Sequence, residues 1–245
     1  MGGGMARVNS RYELGNLVFY ADGLRHRWVD AVGPNVIKYI DDFSGDQGLE
    51  NWIETAVEAG SGSSIMSNVN AEGGIISLLA AGNDSDGLQI QKLPGFKATA
   101  SDPIYFGVRW AIHGCGAGSC SVIMGLCIAD TSLNAGMSDG IYFRSASAET
   151  TLGLITEKNS TEAASTAGSI VVDTYYTDEF FFDGAASPTV YHWHDGAYVA
   201  GATTYVCQDE ALAVSLSFLA EAAHGENVAG LYVDWVRCIQ LLATR

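Results

Sequence analysis

Ile170-Val-Val-Asp-Thr-Tyr-Tyr-Thr-Asp-Glu-Phe-Phe-Phe-Asp-Gly-Ala-Ala-Ser-Pro-Thr-Val-Tyr-His-Trp-His-Asp-Gly-Ala-Tyr-Val-Ala200 is the stretch whose reading decides the fold. Two runs rich in aromatic and β-branched residues flank turn signals at Asp183-Gly184 and Ser187-Pro188. The second run then reaches its own turn at Asp195-Gly196. Such side chains suit a pleated surface, and glycine accepts the positive φ of a primed turn, so Asp-Gly between alternating hydrophobics signals a hairpin. The stretch reads as a β-meander without a helix.

Outward from it the same pattern recurs. Residues 52–57, 75–79 and 87–90 are short strand-like runs, separated by Gly/Ser/Asn/Asp loops at 58–64 and 80–87. Residues 104–112 and 121–128 are longer, and the Gly-rich turn between them reads as joining a central pair of strands. In the first, alternation puts Ile104, Phe106, Val108, Trp110 and Ile112 on one face, the better candidate for the core. Tyr105, Gly107, Arg109 and Ala111 share the other. Residues 141–144 and 151–158 continue the pattern. Leu212, Val214, Leu216 and Phe218 alternate onto one side, and residues 230–242 form a long terminal strand. With no internal repeat, this spacing predicts an all-β, two-sheet antiparallel sandwich over residues 41–245.

Size and composition agree. A chain of 245 residues buries roughly three quarters of its unfolded surface, so one large sandwich needs no external staple. Twenty-nine glycines against four prolines suit a turn-rich β protein. No apolar run is long enough for a membrane-spanning helix, and the opening Met-Gly-Gly-Gly-Met-Ala-Arg lacks the apolar core of a secretory signal. Cys115, Cys120, Cys127, Cys207 and Cys238 are an odd set without a Cys-x-x-Cys pair, which predicts reduced thiols made in a cytoplasm. Whether Cys115 and Cys120 meet across a hairpin mouth stays open.

Charge divides the chain. Residues 1–45 hold Arg7, Arg11, Arg25, Arg27 and Lys38 against five acidic residues. The remaining 200 carry 23 acidic against seven basic side chains, the whole of the net −16. That body repels phosphate backbones and excludes nucleic acid as a partner. Residues 1–40 also lack a sustained period: Leu17-Val18-Phe19-Tyr20 and Val36-Ile37-Lys38-Tyr39-Ile40 are short apolar runs around Arg25-His26-Arg27-Trp28 and Gly33-Pro34-Asn35. They read as an extended N-terminal arm with one or two short strands. Arg, Tyr and Trp are enriched at interface anchors, although Tyr20 and Trp28 could equally cover an edge of the sandwich.

Several pieces together resemble the concanavalin A-like jelly roll of legume-type lectins, laminin-G-like modules and laminarinase-type glycoside hydrolases. They are Asp41-Asp42-Phe43-Ser44-Gly45, the turns Asp183-Gly184 and Asp195-Gly196, and the closing Tyr232-Val233-Asp234-Trp235-Val236-Arg237. More narrowly, the segment 33–43, Asp139-Gly140-Ile141-Tyr142-Phe143-Arg144, Glu157-Lys158-Asn159-Ser160-Thr161-Glu162 and Val233-Asp234-Trp235-Val236 resemble structural proteins of tailed-phage virions. Such proteins decorate or cement the capsid. The likeness implies a role; composition does not show one.

Local chemistry is sparse. The Glu-x-Asp-x-x-Glu string of the laminarinase type is absent, and Asp41-Asp42 and Asp178-Glu179 are neighbours that a strand points to opposite faces. A pair assembled from different strands stays open. His192-Trp193-His194 puts two imidazoles on one strand face, a partial zinc ligand set; the plainer reading leaves both histidines in solvent and Trp193 in the core. Asp84, Asp86, Asp130 and Asp139 lie in loops, where Asp is a calcium ligand or simply a turn former. Nucleophile-elbow, zinc-protease and phosphate-loop motifs are missing.

The resemblance therefore implies a non-enzymatic protein on the outer surface of a phage head, without metal or cofactor, made in the host cytoplasm. It would bind the major capsid protein and other copies of itself; trimers follow from the likeness alone. The expected anchors are Arg7, Arg11, Tyr12, Tyr20, Arg25, Arg27 and Trp28. The alternative is a carbohydrate-binding module of a phage tail or fibre, with Tyr191, Trp193 and Tyr198 as its aromatic platform. A glycan-cleaving enzyme is a third reading.

Overall fold

The computed structural model describes residues 9–21, 26–44, 51–60, 63–69, 73–115, 119–128, 133, 136–145, 150–225 and 228–244. Every regular element among them is a strand. In chain order they are β1 (Asn9–Glu13), β2 (Asn16–Tyr20), β3 (Trp28–Val32), β4 (Val36–Asp41), β5 (Ile53–Val57), β6 (Ile65–Val69), β7 (Ile75–Leu79), β8 (Gly87–Gln91) and β9 (Ile104–His113). The second half holds β10 (Cys120–Cys127), β11 (Gly140–Ser145), β12 (Thr151–Lys158), β13 (Thr161–Ser169), β14 (Tyr176–Phe182), β15 (Val190–His194), β16 (Ala197–Ala202), β17 (Ala213–Ala220) and β18 (Gly230–Leu241). No helix among the described residues is long and apolar enough to cross a membrane.

Two antiparallel sheets form a sandwich. One runs β13-β12-β11-β10-β17-β8-β5, the other β16-β15-β14-β9-β18-β7-β6. β18 shares one edge between two partners: Gly230–Val233 pair with β7, and Val236–Leu241 with β4. Between the sheets lies the main core, to which β9 contributes Ile104, Phe106, Val108, Trp110 and Ile112, and β17 with its lead-in contributes Leu212, Val214, Leu216 and Phe218. Alternation places them there, as expected. The meander also holds: β14, β15 and β16 pair in succession, and Asp195 (φ 46°) and Gly196 (φ 76°) supply the two positive φ values of a primed turn.

Three expectations are corrected. β9 and β10 are not a pair; they lie in different sheets. Ile170–Tyr175 is not strand, whereas Thr161–Ser169 is, although its Ala, Ser, Thr and Gly residues carry almost no β signal. Third, residues 9–32 are not an extended arm. β1, β2 and β3 form a three-stranded antiparallel sheet, and β4 is integral to the large sheet, so the expected boundary after residue 40 falls inside a strand.

That small sheet covers the outer face of the eight-stranded one. Val18, Tyr20, Trp28 and Ala31 meet Tyr105, Phe181, Trp193, Ile239 and Leu241 in a second core. The cause is visible in β14: Phe180 and Phe182 face the sandwich interior, so Phe181 faces outward and requires a cover. Burying side chains of this size contributes about 1.5–3 kcal/mol each, enough to fold the segment down.

Candidate functional site

His26, Arg27 and Trp28 are where the small sheet grips the sandwich. His26 stacks on Phe181 and Tyr191 at centroid distances of 4.7 and 4.8 Å. Arg27 donates from Nε to Glu179 Oε2 at 2.7 Å, and its Nη2 lies 2.6 Å from the same oxygen. Trp28, fully buried, meets Phe181 edge-on at 5.1 Å. Glu179 also accepts a hydrogen bond from Tyr105 Oη at 2.6 Å. Gly107 lies opposite Glu179 in the sheet, and a Cβ there would sit 2.5 Å from the Tyr105 hydroxyl. The missing side chain keeps this buried polar centre closed.

Of the expected interface anchors, Tyr20, Arg27 and Trp28 therefore serve the protein's own interior. Arg11 is engaged by Glu13 and lies over the Tyr20 ring. Arg7 and Arg25 lie outside the described residues. Among the described members of the set, Tyr12 alone projects freely, 79% exposed. It belongs to a surface that sequence reasoning did not delineate. On the outward side of the small sheet, register places Tyr12 beside Leu17, and Leu17 beside Val32. Val32 is 56% exposed, Leu14 and Val29 are also open, and Leu17 and Phe19 are half-buried. The signal was the pair of apolar faces on β2: one faces the sandwich and the other faces out.

The expected glycan platform is largely covered. Trp193 is buried beneath the small sheet, Tyr191 lies under His26, and only Tyr198, edge-on to Trp193 at 5.9 Å, is open. The histidines do not face solvent either. His192 is buried, with Nε2 3.4 Å from the Thr166 carbonyl of the opposite sheet. His194 Nδ1 lies 2.9 Å from Asp178 Oδ1, and Trp110 Nε1 donates to the other Asp178 oxygen at 2.7 Å. Asp178 and Glu179 thus point to opposite faces, as their adjacency required. Burial pushes the Asp178 carboxyl up more strongly than His194 holds it down, and hydrogen bonding to Asp178 raises His194. Burial lowers His192. The pair and its indole partner act as structural groups inside the sandwich.

Open grooves also lie among the described residues. One, of about 240 Å³, runs over β11–β13 and is lined by Arg144, Thr151, Gly153, Ile155, Ala164 and Thr166. Beside it Glu157 accepts from Tyr142 Oη at 2.6 Å, and burial pushes its carboxyl up. Glu162, its cross-strand partner, is bound by both Nη atoms of Arg144 at 2.8 and 2.9 Å. Another groove, of about 350 Å³, lies where β4 meets β18 and is lined by Ile40, Asp41, Asp42, Trp235, Val236 and Arg237. Arg237 there sits 5.0 Å over the Trp235 ring. Sequence reading placed Trp235 and Arg237 only in a long terminal strand, without singling out this surface.

Among the described residues no group of three or more His, Cys, Asp or Glu side chains could hold a metal ion. Asp86 accepts backbone N–H bonds from Ala59 and Asn83, and Asp139 from Asn159, the work of loop formers. Asp84 is not part of any such group, and Asp130 lies outside the described residues.

The architecture is a concanavalin A-like jelly roll. It is similar to an endo-1,3-β-glucanase from Streptomyces sioyaensis (TM-score 0.59, 11% identity, 87% of this chain and 99% of that one) and to peanut lectin (0.60, 10%, 86% and 100%). It is also similar to the carbohydrate recognition domain of Emp47p (0.58, 10%, 84% and 95%). Enzymes and lectins thus share the fold, and identities this low carry the fold alone. No protein-family model and no curated protein matches the sequence.

Proposed function

We propose that this is a non-enzymatic structural protein of a tailed-phage virion, a decoration or cement subunit on the outer capsid surface. Its outward N-terminal face would seat on the major capsid protein and on other copies of itself. The supporting observation is that face, with Tyr12 79% and Val32 56% exposed on a chain of net charge −16. Like charge keeps copies apart in solution, while a contiguous apolar patch on such a body marks a surface that a partner covers. On a lattice, many weak contacts add up through avidity. The carboxylates also fit a non-catalytic role: Glu157, Glu162, Asp178 and Glu179 are each held by their own partner. Co-expression with the major capsid protein of the same genome, followed by sedimentation of the shells, tests the reading. Wild type should travel with the shells and Tyr12→Asp/Val32→Asp should not; wild type left in the supernatant sinks it.

A second reading, glycan binding, is favoured by the groove at Trp235, where an aromatic ring, Arg237 and two aspartates converge on open space. Peanut lectin and the Emp47p carbohydrate recognition domain share the fold. Reproducible binding on a glycan array that Trp235→Ala abolishes would establish it.

A further inference from the structure

The groove where β4 meets β18 holds a guanidinium that the chain leaves unmatched. The other described arginines each face a carboxylate: Arg11 pairs with Glu13, Arg27 with Glu179, Arg109 with Asp234 and Arg144 with Glu162. Among the described residues Arg237 forms no ion pair, and its buried Nε has no hydrogen-bond partner. Its neighbour is instead the Trp235 ring, with the guanidinium 5.0 Å from the centroid. A guanidinium stacked on a ring keeps its N–H edge for a planar, two-oxygen anion. The surroundings supply none. In register Arg237 lies between Ile40 and Gly107. Gly107 has no side chain to offer, and Ile40, 43% exposed, has no polar atom in its own. Beyond Gly107, the two oxygens of Glu179 are taken by Arg27 and Tyr105. Asp41 is likewise engaged, by Tyr39 Oη at 2.6 Å and Phe43 N at 2.8 Å, and Asp42 is exposed and accepts from Ser44 N.

We infer that this groove binds a carboxylate carried on a sugar ring, a hexuronate, with Arg237 donating to both carboxylate oxygens and Trp235 lying against the C–H face of the ring. The inference rests on the glycan reading of this groove and is independent of the capsid one. At about 350 Å³ the groove has room for one such ring. Trp235 and Arg237 stand two apart on β18, so the strand presents the apolar plate and the charge together. On a chain of net charge −16 the site works through short-range contacts, because salt screens charges beyond about 10 Å. Asp42 separates two kinds of sugar. A neutral ring would use its carboxylate as an acceptor, whereas a hexuronate is opposed by it, weakly because it stands in water.

The test titrates the full chain by calorimetry with methyl β-D-glucuronide and methyl β-D-glucoside, the same ring with and without the carboxylate at C6. The glucuronide should bind at least about tenfold more tightly. Arg237→Met should abolish that advantage while Tm stays within about 2 °C of wild type, since the buried Nε bonds to nothing. Arg237→Lys, which keeps the charge and loses the fork, should retain only part of it. Asp42→Asn should tighten glucuronide binding about twofold. Glucoside bound as tightly as glucuronide, an advantage that survives Arg237→Met, or glucuronide binding weakened by Asp42→Asn overturns the inference and leaves the glycan reading standing. Failure of both sugars to bind overturns the two together at this groove.

Discussion

Arg27 and Glu179, 152 positions apart in the chain, form an ion pair on the outer face of the eight-stranded sheet, with side chains only 15% and 4% exposed. Through this contact the N-terminal sheet is bonded to the sandwich and not merely laid upon it. Tyr105 completes the centre by donating to the other carboxylate oxygen of Glu179.

Arg27→Ala should therefore destabilise the protein by about 3 kcal/mol, because it leaves a buried carboxylate with one neutral donor. Urea unfolding measures the loss, and a change below about 0.5 kcal/mol would show that the pair is not what fastens the sheet.

Gly107→Ala should cost about 1–3 kcal/mol, since its methyl would displace the Tyr105 hydroxyl from Glu179. Tyr105→Phe removes the atom it collides with. The double variant should be more stable than the sum of the two single losses by at least about 0.5 kcal/mol; simple additivity would place the clash elsewhere.

Buried His192 and half-buried His194 give opposite pH dependences. His194 is raised from 6.5 by its hydrogen bond to Asp178. Its stabilisation is fully present below the unfolded value and is lost as pH rises through the folded one. His192 is lowered from 6.5 by burial, so its contribution is present above that value and is lost as pH falls through the folded pKa. His194→Gln should remove the alkaline decline and His192→Asn should soften the acid one. Unchanged pH profiles in both variants would contradict the burial of His192 and the pairing of His194 with Asp178.

Tyr12→Asp and Val32→Asp should each leave unfolding free energy within about 0.5 kcal/mol of wild type, because both side chains are already in solvent. A larger loss would mean that this face is covered within the folded chain itself, and the surface could not serve a partner.

The main sheets were legible because their strands alternate: Ile104 to Ile112 and Leu212 to Phe218 carry their core face in a period of two. β13 was not, because Thr161–Ser169 holds small polar residues whose pairing with β12 depends on a neighbour already in place. The candidate surface was half legible. Tyr12 stood out by type, but Tyr20, Arg27 and Trp28 looked the same in sequence, and Trp235 was absorbed into a closing strand. The unused clue was Phe180-Phe181-Phe182, whose break in alternation shows that both faces of β14 are buried.

By itself the sequence determined an antiparallel sandwich, its meander and its primed turn at Asp195-Gly196, because period and turn chemistry are properties of adjacent residues. Only tertiary structure decided which sheet receives β9 and β10, that residues 9–32 fold over Phe181 and Trp193, and which aromatics remain in solvent. Those outcomes depend on pairs such as Arg27 and Glu179, whose partners lie too far apart in the chain for any local pattern to join them.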